Sequence, residues 1–423
     1  MIDTIFALSS GAPPAAIAVV RISGPRARAV LAALSGKVPQ ARRAVATPLY
    51  STAGDLLDRA LVLWLPGPGT ATGEDTVELH LHGGRAVVSA VEAALAEAGL
   101  RRAQPGEFTR RAFANGRIDL AEAEGLADLL EAETELQRRA AMALASGALS
   151  RTVDDWRERV LGLSALVEAV LDFGDEDDVG GLPGDFASQV DTLTVEIADW
   201  LARPRSEPLK AGFRVVLAGP PNAGKSSLFN ALLESEAAIV SPMAGTTRDI
   251  IERSVAIDGV PFTFVDTAGL HDDSDDAIER EGIGRAQSAM GNADLVLWLG
   301  PEEQGPAGAW EIESKSDVGR TVKASPRLRV SASDGTGIGE LKRQLTEHAR
   351  TCLPKPGEGA LNSRQHAILQ DAYEALHGID VQRDALIVAE QLRSARVAFD
   401  RLIGRATTED MLDALFGRFC IGK

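Results

Sequence analysis

The sequence predicts an α+β region followed by an all-α region into which an α/β region is inserted. Before residue 117, the run 76–82 alternates polar and apolar side chains with the period of two that is typical of half-buried strands. After residue 119, and again after residue 359, long stretches rich in Ala, Leu and Glu predict helices. Between them, the apolar run 213–217 leads through a glycine-containing turn into a helix-like segment, which is the element order of α/β folds.

Length and composition limit the classes of protein to be considered. With 423 residues, of which 45% are hydrophobic, the chain is long enough for several folded domains. The patterns above predict an N-terminal domain over 1–117 and a helical domain over 118–209 and 351–423, interrupted by an α/β domain over 210–350. The net charge of −17 argues against nonspecific coating of nucleic acid, although it leaves room for a local basic patch.

The sequence gives no indication of secretion or membrane insertion. Two cysteines, Cys352 and Cys420, are too few for a disulfide framework. No apolar run approaches the roughly 18 residues of a membrane span. The N-terminus carries Asp3 and no basic residue before Arg21, unlike a signal peptide. We therefore expect a cytoplasmic protein with no membrane partner.

The turn after the run 213–217 reads Gly-Pro-Pro-Asn-Ala-Gly-Lys-Ser over residues 219–226. Glycines let the backbone turn its N–H groups toward phosphates, and the N-terminus of the next helix adds partial positive charge. Lys225 can reach the β- and γ-phosphates of a nucleotide, and the Ser226 hydroxyl can bind Mg²⁺. An ordinary glycine turn before a surface helix is the alternative, but the flanking strand and helix favour a phosphate-binding loop. The candidate contacts are Asn222, Ala223, Gly224, Lys225, Ser226 and Ser227.

Downstream segments indicate GTP as the nucleotide. Thr247 lies in a loop where a threonine can be the second protein ligand of Mg²⁺, and Asp266 ends a strand-like run where it can hold the metal's water shell. The Gly269 N–H can contact the γ-phosphate. The base-binding motif Asn-Lys-x-Asp is expected next, and a loop that supports the base follows it. The residues of these elements are Gly245, Thr246 and Thr247; Asp266, Thr267, Ala268 and Gly269; Ser314, Lys315 and Asp317; Ser331 and Ala332.

Two features depart from a complete GTP-binding domain. Asp317 can accept hydrogen bonds from guanine, but Ser314 stands in place of Asn and is too short to contact both the glycine loop and the base. We expect a water molecule to fill that gap. The span 300–313 is short for both the helix and the strand that an α/β fold normally places there, so we expect a trimmed domain edge and weakened base binding.

Motifs outside this domain carry a resemblance to one family. They are Arg-Ile-Ser-Gly-Pro at 21–25, Gly-Glu-Asp at 73–75 with Glu-Leu-His-Leu-His-Gly-Gly at 78–84, Pro-Gly-Glu-Phe-Thr-Arg-Arg-Ala-Phe at 105–113, Asn-Gly-Arg-Ile-Asp-Leu at 115–120 and Phe-Cys-Ile-Gly-Lys at 419–423. With the GTPase signatures, essentially the whole chain resembles the MnmE (TrmE) family of tRNA uridine-modifying GTPases. The resemblance implies a folate-binding N-terminal domain that forms a homodimer. It also implies a heterotetramer with an FAD-dependent subunit, which adds an aminomethyl or carboxymethylaminomethyl group at C5 of the wobble uridine of certain tRNAs.

The resemblance also implies a second set of site residues. A tetrahydrofolate derivative, 5-formyl- or methylene-tetrahydrofolate, would contact Arg21, Glu78, Arg117 and Lys423. Without the resemblance, Arg21 and Glu78 are interpreted as an ordinary ion pair between strand ends. Arg117 stands where the family more often has Lys, which keeps the charge and alters the geometry. Cys420 resembles the family's thiol near the C-terminus, and whether it is a nucleophile or a positional residue stays open.

GTP hydrolysis is expected to use catalytic groups other than those of the small signalling GTPases. Leu270 stands where those proteins carry a water-positioning Gln. The resemblance assigns that role to Glu279, although the residues alone favour an exposed helix carboxylate. It further implies K⁺ in place of an arginine finger, surrounded by oxygens of Asn222, Ser241, Met243 and Thr246.

Two other functions remain open at this point. One is a GTPase switch in ribosome assembly, which would need a basic RNA-binding module that is not obvious after residue 350. The other is a degenerate homologue that binds folate and RNA but has lost guanine selectivity. Calorimetry with GTP, GDP and ATP would distinguish these two.

Overall fold

A computed structural model describes residues 3–173, 181–234, 251–267, 287–318, 323–406 and 409–422. The contacts within the chain group it into two units, Met1–Ala127 with Asp400–Lys423, and Asp128–Phe399. Each unit contains one six-stranded sheet. Among the described residues, no helix is long and apolar enough to cross a membrane.

The strands are β1 (Ile5–Leu8), β2 (Ile17–Ser23), β3 (Val45–Tyr50), β4 (Leu56–Leu65), β5 (Thr76–His82), β6 (Arg101–Arg102), β7 (Phe213–Ala218), β8 (Ile251–Ile257), β9 (Val260–Asp266), β10 (Leu295–Trp298), β11 (Trp310–Glu313) and β12 (Leu328–Arg329). The helices are α1 (Ala27–Ser35), α2 (Arg85–Glu97), α3 (Glu107–Ala114), α4 (Leu120–Glu131), α5 (Glu135–Ala145), α6 (Ala148–Phe173), α7 (Phe186–Leu201), α8 (Ser206–Ala211), α9 (Lys225–Leu233), α10 (Ile338–Cys352), α11 (Ser363–His377), α12 (Ala385–Leu402) and α13 (Glu409–Phe416).

The sheet of the first unit has the strand order β3-β4-β5-β2-β1-β6, and only β1 and β6 pair in parallel. The period-two pattern of β5 buries Val77, Leu79 and Leu81 on one face and places Glu78 and His80 on the other. Helix α2 supplies apolar side chains to the same core from positions three or four residues apart, which is the spacing of one helix face. One face of the sheet is therefore a core, and the opposite face carries the polar candidates.

The segment 419–422 is built into the first unit. Ile421 forms an antiparallel bridge with Pro105, and the Ser9 hydroxyl donates to the Gly422 carbonyl at 2.8 Å. Gly422 has φ of 99°, and a Cβ there would lie 2.1 Å from the Leu8 carbonyl oxygen. Only glycine fits this close approach. The Phe-Cys-Ile-Gly-Lys motif thus has a structural reason for its glycine.

In the sequence of the second unit, helices precede and follow the inserted α/β region. The side chain of Trp156, on α6, is fully buried and packs on Trp200 of α7 and Phe399 of α12, with ring centroids 6.4 and 5.9 Å apart. Asn362 caps the start of α11 with a capping box, and the helix ends before Gly378. These helices form the predicted all-α region.

The sheet of the second unit has the order β12-β11-β10-β7-β9-β8, in which all neighbours are parallel except the edge strand β8. Its core contains Phe213 and Leu217 of β7, Phe264 of β9 and Leu345 of α10. Strand β7 is central, so its carboxyl end opens onto the edge where ligands bind in sheets of this type.

The expectation that the span 300–313 lacks room for a strand is wrong. Residues 310–313 form β11, which pairs in parallel with β10. No helix forms in the described connection 299–309, although parallel strands are usually joined through one. The domain edge is trimmed by one helix and keeps its strand.

Charged side chains occupy the β11 face that lies away from the main core. Trp310 and Ile312 point into the core, so the alternation places Glu311 and Glu313 on the opposite face. Lys323, whose side chain is 2% exposed, pairs with Glu311 and donates to the Trp298 carbonyl at 2.7 Å. Arg329 pairs with Glu313 at 2.6 Å. Ion pairs therefore neutralise this face, where a covering helix would otherwise supply apolar contacts.

Candidate functional site

The predicted phosphate loop lies at the carboxyl end of the central strand β7. Gly219 has φ of 147° and Gly224 has φ of 91°, and Asn222 also adopts a positive φ of 60°. A Cβ on Gly219 would lie 2.9 Å from the Gly300 backbone nitrogen, so this position requires glycine. Helix α9 begins at Lys225, directly after the loop, with Ser226 and Ser227 exposed in its first turn. The N-terminus of α9 therefore faces the candidate anion site.

Lys225 is a buried cation without a described carboxylate partner in hydrogen-bond contact. Its Nζ donates to the carbonyls of Gly219 and Pro220, each at 2.9 Å, and the residue is 3% exposed. Burial lowers the pKa of Lys225, and the nearby negative charge of Asp266 opposes that shift. A buried ammonium held by carbonyl dipoles is expected to gain from an anionic ligand, because the anion restores the solvation that burial removes.

Asp266 and Thr267 lie beside the loop, where β9 ends. Asp266 is opposite Leu217 in the parallel register of β7 and β9, and it is 2% exposed. The Thr267 hydroxyl donates to the Leu217 carbonyl at 2.8 Å. This bond fixes the backbone after Asp266 against the strand that leads into the loop. The structure thus brings together two of the predicted elements, the loop and the Asp266 motif.

Ser314 contacts the loop directly, so the expected water would lie on the side of the base, where it stays a prediction. Its hydroxyl donates to the Ala223 carbonyl at 2.5 Å, and Lys315 donates to the Asn222 carbonyl at 2.7 Å. Strand β11 ends one residue before Ser314 and brings the backbone close enough for the shorter side chain to reach. The loop-bracing part of the Asn-Lys-x-Asp motif is therefore retained with serine.

Asp317 is exposed and lies close to the base-supporting loop. Hydrogen bonds from the hydroxyls of Ser333 and Ser331 lower the pKa of this exposed carboxyl. The two serine hydroxyls also lie 2.9 Å apart. Ala332 lies between them in the same turn. The sequence predicted Ser331 and Ala332 but missed Ser333, and its only signal was a second hydroxyl two residues on.

Replacing Ser314 by alanine should weaken GDP binding about 3- to 10-fold, because one neutral hydrogen bond contributes about 1 kcal/mol. Ser314→Asn should keep the hydrogen bond to the loop and add a contact to the base. It should therefore tighten GDP binding roughly 3- to 10-fold relative to wild type. Isothermal titration with GDP measures both, and Ser316→Ala controls for loss of a neighbouring hydroxyl. If Ser314→Ala binds GDP as wild type does, the brace makes no contribution to affinity.

Part of the predicted site lies outside the described residues. These candidates are Ser241, Met243, Gly245, Thr246, Thr247, Ala268, Gly269, Glu279 and Lys423.

A cavity of about 480 Å³ in the first unit collects the other predicted residues. Arg21 and Arg117 line it, together with Phe108, Thr72 and Gly422. Arg21 lies over the Phe108 ring, with 5.8 Å between its Cζ and the ring centroid. The cavity therefore presents two guanidinium groups and an aromatic ring.

Glu78 acts on this cavity through Arg21. The two residues are opposite each other in the β2–β5 register, and Arg21 Nη2 lies 2.9 Å from Glu78 Oε1. They form the ion pair expected without the resemblance, but in mid-strand positions and with Arg21 at the cavity wall. Cys420 is exposed and is not among the residues that line the cavity, so the described structure does not bring it to this site.

Other residues that build the cavity were not predicted. Asn115 donates to the Thr72 carbonyl at 2.7 Å and so holds the segment 70–72 against α3. Beneath it, Arg111 is fully buried and bonds to Glu74, Asp3 and Glu107. For Glu74, Arg111 and Asn115 the sequence signal was their place in the segments 73–75, 105–113 and 115–120, and Thr72 and Asp3 had none.

The doubly wound sheet, the glycine loop with its buried lysine and the segment 314–317 that braces this loop define a P-loop GTPase. A family model described as the MnmE helical domain matches residues 120–420, and one described as the GTP-binding protein TrmE N-terminus matches residues 4–117. The chain belongs to the MnmE family.

Curated relatives of this family match the chain from end to end. The tRNA modification GTPase MnmE of Erythrobacter litoralis is 65% identical over 423 residues, covering 100% of both chains. The protein of the same name from Novosphingobium aromaticivorans is 60% identical over 437 residues, again covering 100% of both. Among solved structures, the G domain of the T. maritima FeoB iron transporter is 25% identical, covers 32% of this chain and 98% of its own, and has a TM-score of 0.24.

Proposed function

We propose that this protein hydrolyses GTP in the modification of tRNA. With a flavin-dependent partner subunit, it adds an aminomethyl or carboxymethylaminomethyl group at C5 of the wobble uridine. The observation that carries the proposal is full-length identity of 65% to a relative named tRNA modification GTPase, in a chain whose phosphate loop is complete. The carboxyl of Asp317 is kept beside the Ser314 brace, and nearby serine hydroxyls lower its pKa, which supports retained guanine selectivity over the degenerate alternative. A cytoplasmic location is part of the proposal, since tRNA is the proposed substrate.

The residues of the nucleotide site take roles that follow from their positions. The buried Lys225 ammonium binds the β- and γ-phosphates, and the backbone N–H groups of 222–227 surround the phosphates at the N-terminus of α9. The hydroxyls of Ser226 and Thr247 and the carboxylate of Asp266 would hold Mg²⁺, directly or through water. Mg²⁺, when bound, neutralises charge on the phosphate oxygens. Asp317 accepts from the guanine base, and Ser314 and Lys315 brace the loop.

The cavity of the first unit is proposed to bind the tetrahydrofolate derivative. Arg21 and Arg117 supply positive charge for carboxylates, and the Phe108 ring offers an apolar face to a flat heterocycle. Glu78 orients Arg21, and Lys423 would add a further charge. We propose that the N-terminal domain, 1–117, also forms the homodimer. The helical domain, 118–209 and 351–423, would transmit nucleotide-driven motion from the domain 210–350. A catalytic role of Cys420 stays a prediction, since the described structure does not bring this residue to the cavity.

Analysis of tRNA nucleosides by mass spectrometry tests the proposal. Cells that lack the gene should lose the C5 modification of the wobble uridine and accumulate the unmodified base. The wild-type gene should restore it, and a gene encoding Lys225→Ala should not. Unchanged modification in the deletion strain would refute the proposed function.

We expect GTP hydrolysis to be at least about 10-fold faster in K⁺ than in Na⁺ at equal ionic strength, because an arginine finger is worth 10³ to 10⁵ in rate and the proposed ion replaces part of that charge. Asn222, which has a positive φ in the loop, supplies one of the proposed oxygens. Asn222→Ala should abolish the difference, whereas Asn230→Ala on the exposed side of α9 should keep it. Equal rates of phosphate release in the two salts would contradict this prediction.

A further inference from the structure

A region of the first unit carries exposed positive charge with no acidic residue near it in sequence. The whole chain has 61 Asp and Glu in 423 residues, but residues 4–54 contain none. Five basic residues in this segment are exposed, and we call them the basic surface: Arg26, Arg28, Lys37, Arg42 and Arg43. Residues 1–117 carry 13 Lys or Arg against 9 Asp or Glu, although the chain as a whole has a net charge of −17. Positive charge is therefore concentrated in this unit.

The charges of the basic surface are not neutralised within the described part of the chain. Arg26 donates to the carbonyls of Ala98 and Gly99, and Arg42 donates to the Gly69 carbonyl at 2.7 Å. None of the five pairs with a carboxylate of the described residues. By contrast, Arg101 and Arg102, on the neighbouring strand β6, each form ion pairs. The positive charge of the basic surface remains available to a partner.

The geometry of the surface suits an extended anion. Arg26 and Arg28 lie at the start of α1, and Lys37 lies just past its end, so the charges span at least the roughly 13 Å of this nine-residue helix. That length covers several phosphates of one nucleic-acid strand. Arg42 and Arg43 continue the charge into the loop before β3. Arg42 adopts a positive φ of 61°, an unfavourable conformation that its backbone bond to the Trp64 carbonyl holds in place.

The other exposed residues of this region indicate which polyanion binds. They are small or neutral, and they include Pro25, Ala29, Ala33, Gly36, Gln40, Ala41, Ala44 and Ala46. Large exposed apolar side chains lie beside this surface, at Leu61, which is opposite Ala46 in the β3–β4 register, and at Tyr50. The segment 25–44 itself has no exposed aromatic or large aliphatic side chain of the kind that protein interfaces usually bury. Small side chains between arginines let a phosphate backbone approach closely. The net negative charge of the remaining chain repels RNA, so it would orient a nucleic acid toward this one region.

We propose that the basic surface binds the phosphate backbone of tRNA. The inference rests on the proposed function and names the part of the chain that contacts the RNA. Phosphate contacts position a nucleic acid without reading its sequence, so the surface would hold different substrate tRNAs in one orientation.

Binding of an unmodified tRNA transcript to the full-length protein, measured by fluorescence anisotropy between 50 and 200 mM salt, tests the proposal. The variant Arg28→Glu/Lys37→Glu/Arg43→Glu changes three exposed residues with no described side-chain partner. Affinity at 50 mM should fall at least about 10-fold, and the slope of log K against log salt should decrease in magnitude by about 2, since each lost phosphate contact removes about 0.7. GTP hydrolysis and melting temperature should stay as in wild type.

A matched control separates local contact from total charge. Arg205→Glu/Arg253→Glu/Lys355→Glu makes the same charge change at exposed positions of the second unit and should retain affinity and slope. Equal losses in the two triple variants, or no loss in the first, would overturn the proposal while leaving the proposed function intact. Binding of poly-glutamate but not of the transcript to this surface would assign it to an acidic protein and also overturn the proposal. Failure of wild type to bind any tRNA transcript would count against both.

Discussion

Replacing Lys225 by alanine is expected to weaken GTP binding by about 10²- to 10⁴-fold. Two charge-assisted hydrogen bonds to phosphate oxygens are worth about 1.5–3 kcal/mol each, and every 1.4 kcal/mol is a factor of ten. The Lys225 residue is 3% exposed, and this burial lowers the pKa of its ammonium group. No other lysine in the described residues lies in the loop to take its place. Equilibrium binding of a slowly hydrolysed GTP analogue measures the loss.

Two further variants make the Lys225 prediction specific. Lys210→Ala removes a lysine of the same unit that pairs with Asp128 at 2.7 Å, and it should bind GTP as wild type does. Lys225→Arg keeps the charge but replaces a point charge by a planar fork, so it should recover only a small part of the affinity. Melting temperatures show whether each variant is folded. A folded Lys225→Ala protein with GTP affinity within 3-fold of wild type would refute the phosphate-loop assignment.

Replacing Glu279 by alanine should lower kcat for GTP hydrolysis by about 10² or more, while GTP affinity stays within a few-fold of wild type. Removal of one group that positions the attacking water costs this much because the interaction is made only in the transition state. Single-turnover hydrolysis at saturating GTP measures the chemical step separately from binding.

The neighbouring carboxylate supplies the control for Glu279. Glu281→Ala removes the same charge two residues on, and it should leave kcat nearly unchanged. If both variants hydrolyse GTP at the wild-type rate, Glu279 is an exposed helix carboxylate, as the residues alone indicate. If both lose activity to the same extent, the effect follows the local charge and not a positioned group.

The sequence predicted those parts of the site that are formed by residues close together in the chain. Gly219, Gly224 and Lys225 could be assigned because strand, turn and helix follow one another directly, and backbone sterics alone favour glycine at the positive φ values of this turn. The Ser314 brace could not be predicted, since it joins residues 91 apart in sequence and depends on where the last strand residues place the backbone. Chain order alone does not fix a distance of this kind.

Strand β11 shows a second limit of prediction from pattern. The expectation of a missing strand assumed that a helix must come first, because parallel strands usually need a crossover helix. Here an irregular segment of residues 299–309 makes the connection instead. Glu311 and Glu313 alternate with Trp310 and Ile312 in a period of two, but four residues are too few to identify a strand without its neighbours.

The position of the segment 419–422 has a consequence for the order in which the protein folds during synthesis. The first unit needs residues 400–423, but 272 residues of the second unit separate them from residue 127. At about 5–20 residues per second, a ribosome would complete this stretch on the order of 14–54 s after residue 127. The Ser9–Gly422 hydrogen bond spans 413 positions, so it can form only after residue 422 has been synthesised and has left the ribosome. The unit that begins to emerge first is therefore completed after the second unit, and its N-terminal part must remain protected from aggregation and proteolysis until residues 400–422 have left the ribosome.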